Sequence, residues 1–199
     1  MNYPNSLNAL IESFKKLPSI GEKTAERLAF AVMNMNMEDV EVFSNSLINV
    51  KEKIKKCSIC GNITENKECD ICKNESRDGN IICIVEDAKN IISFEKIGSY
   101  NGKYHVLNGL ISPLDGIGPE DISIKNLIDR IEKENIKEVI LAISGTLEGE
   151  TTTLYISKLL EKKDVIVSKI AHGIPMGADM EYLDPMTLSM ALINRNKVS

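Results

Sequence analysis

The stretch Val139-Ile140-Leu141-Ala142-Ile143-Ser144-Gly145-Thr146-Leu147-Glu148-Gly149-Glu150 decides the fold. Its first five residues form an unbroken apolar run, the pattern of a strand buried on both faces of a parallel sheet. Its last three set two carboxylates shortly beyond that strand. The pattern recurs at Ile81-Ile82-Cys83-Ile84-Val85, with Glu86 directly after it, and two further strand candidates span Tyr104 to Leu107 and Val165 to Ile170. Helical segments lie between them. Asp87 can cap the first and Gly98 can end it. Ser123 can cap a second, with Ile124, Leu127, Ile128 and Ile131 on one face, and Thr151 to Lys163 forms a third. This β-α-β-α-β-α-β order predicts a parallel α/β domain over 80–175. Pro185, Leu188, Ala191 and Leu192 predict a terminal helix in a tail over 176–199.

The carboxyl ends of strands line the site crevice of an open parallel sheet. Glu86, Glu148 and Glu150 are therefore placed to converge, and converging carboxylates can hold Mg²⁺ for phosphoryl chemistry. His105 falls in a strand pattern and His172 just after another. Both read as packing or hydrogen-bonding residues. No Walker A loop, dinucleotide fingerprint or motif nucleophile accompanies them.

Upstream, Cys57-x2-Cys60-x8-Cys69-x2-Cys72 forms two CxxC pairs over 57–72. Two such knuckles can place four thiolates around one Zn²⁺, and four thiolates leave no open position for catalysis. Gly61 permits the tight turn after the first pair. The loop between the pairs is polar and too small for a core, so the metal supplies fold energy. The competing reading is two separate buried or redox pairs. Cys83 reads as a core residue.

Residues 1–56 read as helical. Leu7, Leu10, Ile11 and Phe14 share one helical face, which Asn5 or Ser6 could cap and Pro18 breaks. Ala25, Leu28, Ala29 and Val32 line a second helix. Phe43, Leu47, Val50 and Ile54 line a third, from about Glu38 to Lys55. Gly21 precedes the second helix, where backbone N–H groups can hold a phosphate. Lys23 and Arg27 stand four residues apart on one face beside that turn. The local sequence reads equally as a phosphate-gripping hairpin or as a plain helical hairpin with solvated charges. Lys15, Lys16, Lys51, Lys53, Lys55 and Lys56 add positive charge nearby.

The chain has 199 residues, a formal charge of −5, 43% hydrophobic and 27% charged residues. These values exclude a disordered chain, since the apolar share can fill a core. No run approaches the length of a membrane span, and the first residues lack a secretory signal, so a cytoplasmic location is expected. The acidity is uneven. Residues 1–56 carry 8 Lys+Arg against 7 Asp+Glu, whereas 80–199 carry 13 against 17.

Leu17-Pro18-Ser19-Ile20-Gly21-Glu22-Lys23-Thr24-Ala25-Glu26-Arg27-Leu28 resembles a helix-hairpin-helix, with Ser19 where that pattern usually has Gly. The α/β part resembles a Toprim domain. Topoisomerase members of that group carry Asp-x-Asp-Arg-Glu-Gly-Glu where this chain has Ser144 to Glu150, so Ser144 and Thr146 replace both metal-binding aspartates. A Mg²⁺-dependent Toprim nuclease or nucleotidyl transferase is thus the alternative reading.

The order helix-hairpin-helix, four-cysteine finger, Toprim and tail resembles the bacterial RecR family of recombination mediators over essentially the whole chain. Tyr104 to Pro119, Ser144 to Thr151 and Ala171 to Asp184 are similar to that family's motifs. The resemblance implies a non-enzymatic role in recombinational DNA repair. It implies RecO and RecF as partners, helping to load RecA onto single-stranded DNA covered by SSB. It implies a ring-shaped homotetramer, with a dimer as the alternative, that binds single- and double-stranded DNA without reading sequence. Lys23 and Arg27, with Gly21 and Thr24, would contact DNA. Glu148 and Glu150, with Glu86, would meet RecO. One structural Zn²⁺ per chain is implied at Cys57, Cys60, Cys69 and Cys72. The N-terminal helices and the C-terminal part would supply subunit contacts. Gly173, Pro175, Gly177, Glu181, Tyr182 and Asp184 match a Walker B-like tail, read as an assembly element.

Overall fold

A computed structural model describes residues 3–171, 173–195 and 197, so His172 lies outside the described residues. The chain divides into two compact units, Met1–Ile54 and Lys55–Ser199.

The first unit holds α1 (Asn5–Lys15), α2 (Glu22–Met33) and α3 (Met37–Lys53). Ile11, Ala25 and Ala29 are buried between α1 and α2, with Leu7, Leu10, Phe14 and Ile20 against them. The two alanines on α2 let the helices approach closely. Neither Asn5 nor Ser6 caps α1: Pro4 holds the cap position and no side chain bonds the free N–H groups. The helix stops at Lys15, short of Pro18, because the residue before a proline is pushed out of helical geometry. Asn36 caps α3 through the Asp39 N–H at 2.8 Å. The apolar stripe expected on α3 exists and is exposed: Leu47 is 59% and Val50 60% exposed.

The second unit begins with a short hairpin of β1 (Lys55–Lys56) and β2 (Ile63–Thr64), then α4 (Asp70–Lys73). The α/β part follows as β3 (Asp78–Val85), α5 (Ala88–Ile97), β4 (Gly102–Val106), α6 (Ile124–Glu134), β5 (Glu138–Ala142), α7 (Leu147–Leu160) and β6 (Ile166–Lys169). After it comes α8 (Pro185–Ile193). The four long strands pair in parallel, in the order β4-β3-β5-β6. One face packs Ile82, Ile84, Leu141, Leu127 and Ile156 together. The other packs Cys83, Val85, Tyr104, Val106 and Ile91.

The caps explain where the elements differ from expectation. Asp87 accepts from Lys89 N–H at 2.8 Å while Asn90 accepts from Asp87 N–H at 3.0 Å, and Gly98 closes α5 in the left-handed region at φ 69°. Ser123 occupies the cap position of α6 without a side-chain cap bond. The third helix of the sheet starts at Leu147, not Thr151, because the Thr146 hydroxyl accepts from Gly149 N–H at 3.1 Å. Glu148 and Glu150 therefore sit in the first turn of α7, where the helix dipole favours negative charge. Among the described residues, no helix is long and apolar enough to cross a membrane.

Candidate functional site

The four thiols of Cys57, Cys60, Cys69 and Cys72 come together, all within 4.8 Å of one another. Cys60 Sγ and Cys69 Sγ are 3.6 Å apart. A tetrahedral zinc with Zn–S of about 2.3 Å has edges of about 3.8 Å, so the cluster is close to the required size. The knuckle geometry follows from local hydrogen bonds. Gly61 N–H returns to Cys57 C=O at 3.0 Å, Cys57 N–H bonds Asn62 C=O at 2.7 Å, and Cys69 N–H points at Cys57 Sγ at 3.3 Å. Gly61 is left-handed at φ 76°, and a Cβ there would sit 3.2 Å from Val106 C=O, so this position needs glycine on two counts.

Hydrogen bonds among the thiols shift their ionisation in opposite directions. Cys60 is pushed up to about 12 by its hydrogen bond with Cys69. Cys72 is raised by its bonds to Cys60 and Cys69. Cys69 is lowered because those S–H groups donate to it. A dication at the cluster favours the ionised thiols that zinc ligation requires. These residues fit one structural zinc.

Three basic side chains join this finger and its surroundings to the sheet, and sequence reasoning did not single them out. Lys103, only 9% exposed, donates through Nζ to the carbonyls of Ile71, Cys72 and Asn74 at 3.0, 3.0 and 2.7 Å. It thereby satisfies the C-terminal carbonyls of α4, which carries the second cysteine pair. Buried Arg130 donates to Tyr104 C=O at 2.6 Å and to Glu134 at 3.0 Å. Arg77 donates to Gly102 C=O at 3.1 Å and pairs with Glu95. The available signal was a charge inside an apolar pattern: Arg130 interrupts the Leu127, Ile128, Ile131 face, and Lys103 opens the Tyr104 strand.

The glycine turn takes an unexpected form. Gly21 is extended, at φ −87°, and a Cβ on it would meet nothing. The left-handed residue is Ser19, at φ 64°. No side chain caps α2, so the N–H groups of its first turn have no side-chain partner. Lys23 and Arg27 are exposed on one face of α2, and neither forms an ion pair among the described residues. Thr24 lies beside them, half-buried. Lys15 contributes no free charge, since it pairs with Glu12 at 2.8 Å and Glu22 at 2.6 Å.

The acidic crevice is only partly assembled. Ser144 Oγ donates to Glu86 at 2.9 Å, and Ser144 and Thr146 hydroxyls lie 3.3 Å apart. Glu150 instead reaches Lys169 on β6 at 2.6 Å. Glu148 is half-buried in the first turn of α7. The structure therefore joins Glu86 to the hydroxyl that replaces an aspartate and directs Glu150 to a lysine. His105 is buried. Its Nε2 lies 3.0 Å from Ser123 C=O, and burial holds its pKa down to about 4, so it is neutral.

Comparison with known proteins follows the same divisions. A model described as RecR, helix-hairpin-helix matches residues 7–51, and one described as the RecR four-cysteine zinc finger domain matches 54–74. A Toprim domain model matches 80–171 and a RecR, C-terminal model matches 173–196. The chain is 50% identical over 198 residues to the "Recombination protein RecR" of Staphylococcus haemolyticus, covering all of both chains. It is equally similar, over the same length, to the protein of that name from Staphylococcus saprophyticus subsp. saprophyticus.

Proposed function

Because the chain belongs to the RecR family, we propose that it is a DNA-binding mediator of recombinational repair that acts in the cytoplasm without chemistry of its own. In this reading it works with RecO and RecF to load RecA on SSB-coated single strands. It does so as a ring-like homotetramer, with a dimer as the smaller unit.

The observation that carries DNA contact is the start of α2. Among the described residues its first-turn N–H groups lack a side-chain cap, and Lys23 and Arg27 stand exposed and without an ion pair beside them. Uncapped N–H groups with adjacent cations suit a phosphate rather than a base edge, which favours binding without sequence preference. Gly21 gives the backbone open approach, since nothing lies within 4 Å of where its Cβ would be. Thr24 follows in the same turn. Glu86, Glu148 and Glu150 are assigned to the RecO-facing surface of the Toprim part.

Magnesium-dependent phosphodiester chemistry finds little support at the same crevice. A serine occupies Glu86 and a lysine occupies Glu150, and hydroxyls bind Mg²⁺ poorly beside carboxylates.

The test is charge reversal on α2. Lys23→Glu with Arg27→Glu should lower affinity for a fluorescent oligonucleotide by at least about tenfold at moderate salt, with unchanged circular dichroism and zinc content. Retained affinity would remove α2 as the contact surface.

A further inference from the structure

Strand β4 touches both cysteine pairs, one through its backbone and one through a side chain. Val106 N–H donates to Cys60 C=O at 2.8 Å and so fixes the first pair. Three residues earlier, about 10 Å away along an extended strand, the Lys103 side chain fixes the second. Its Nζ donates to the carbonyls of Ile71, Cys72 and Asn74 at 3.0, 3.0 and 2.7 Å. An ammonium has three N–H donors, so all of them are used on this one turn. Ile71 packs both against the finger's cysteines and against the Tyr104 side of the sheet. Lys103 is buried, and among the described residues it forms no ion pair. A buried ammonium is costly without a compensating negative charge. The carbonyl oxygens at the end of α4 supply part of it. Four thiolates around one Zn²⁺ carry a double negative charge, and Cys72, whose carbonyl Lys103 holds, contributes one of those thiolates.

We propose that Lys103 is a positioning residue for the zinc site: it sets the second cysteine pair against the first and supplies the buried positive charge that the tetrathiolate calls for. The finger has little core of its own beyond its cysteines, Ile59 and Ile71, so the separation of the two pairs is set from outside it. Strand β4 is suited to that task, because it is paired along β3 and every one of its residues is buried. A site held ready in this way loses less freedom when it takes up metal. Groups that orient metal ligands are worth about 10- to 100-fold in affinity. The charge acts in the same direction, since a nearby cation favours thiolate over thiol. The inference concerns the four-cysteine site alone and does not depend on DNA binding.

The test measures the zinc affinity of the full-length chain by competition with a chromophoric chelator. Lys103→Met, which removes both the donors and the charge, should weaken zinc binding by about 10- to 100-fold. Lys103→Arg, which keeps both, should recover at least half of that loss on a logarithmic scale. With Co²⁺ in place of zinc, Lys103→Met should reach the full thiolate-to-metal absorption of the wild type, but only at a higher cobalt concentration. Urea unfolding in excess zinc reads the stability of the sheet separately. Wild-type zinc affinity in Lys103→Met, with a lowered urea midpoint, would overturn the proposal, because Lys103 would then serve the sheet alone. Equal losses in Lys103→Met and Lys103→Arg would overturn it too, because side-chain shape and not the cation would set the site. If Lys103→Met does not fold, Lys103→Gln, which keeps N–H donors without the charge, takes its place with the same outcomes.

Discussion

At Ser19 the backbone is left-handed, φ 64°, a conformation that crowds the Cβ of an L-residue and that glycine adopts freely. The sequence shows Ser19 where the helix-hairpin-helix pattern usually has glycine, and the left-handed backbone falls at that position. Gly21, just before α2, is extended, so its value is open access and not torsional freedom. His105 has a comparable history. A strand position explains its burial, but the ring contacts only become visible once Ser123 is brought beside it from α6. Burial lowers its pKa from an ordinary 6.5 to about 4. Between these values the unfolded chain binds a proton that the folded chain refuses. Stability therefore rises with pH through this window and is lost as pH falls from about 6.5 toward 4. At pH 5 the loss relative to pH 7 is about 2 kcal/mol. His105→Phe should remove that part of the pH dependence. Urea unfolding at both pH values, with zinc in excess, reads it as a smaller spread between midpoints. Parallel pH profiles for the two proteins would assign the acid sensitivity to other groups.

Among elements, the turn from β5 into α7 is the tightest part of the crevice. A Cβ on Gly149 would lie 2.0 Å from Ser144 C=O, a backbone atom that cannot step aside. The glycine between the two glutamates thus answers to packing, whatever surface its neighbours serve. Gly149→Ala should cost about 3 kcal/mol or more through overpacking, seen as a lower thermal midpoint with the zinc content intact. A midpoint equal to wild type would show that the turn can relax. Strands β3 and β5 were legible because each holds a short apolar run, and the finger was legible because metal ligation fixes cysteine spacing in the sequence itself. The start of α7 was not, since Thr146 caps it with a hydroxyl that looks like any other loop residue. Nor was the tie from β4 to the finger: Lys103 finds its acceptors 29 to 32 residues earlier in the chain, and no local pattern encodes that meeting.

For the molecule as a whole, the question is how a chain of net charge −5 holds a polyanion. Charge is not spread evenly, and α2 presents Lys23 and Arg27 without acidic partners among the described residues, although Glu22 and Glu26 lie on the same helix. Two cations are few for one chain, so in the proposed ring affinity would come from repetition, and the number of engaged copies can be read from the salt dependence. Each phosphate neutralised on duplex DNA contributes about −0.9 to the slope of log affinity against log salt. Four copies engaging both residues give a slope of about −7, and two copies about −4. A native mass measured on the same complex fixes the number of copies independently. A tetramer with a slope of about −7 requires every α2 to touch DNA at once, as an encircling ring demands. A tetramer with a slope near −4 means that only half of these contacts form, from two copies with both residues or from four with one each. Arg27→Gln alone should bring the tetramer's slope close to half its wild-type value. An unchanged slope would place the phosphate contacts on other residues.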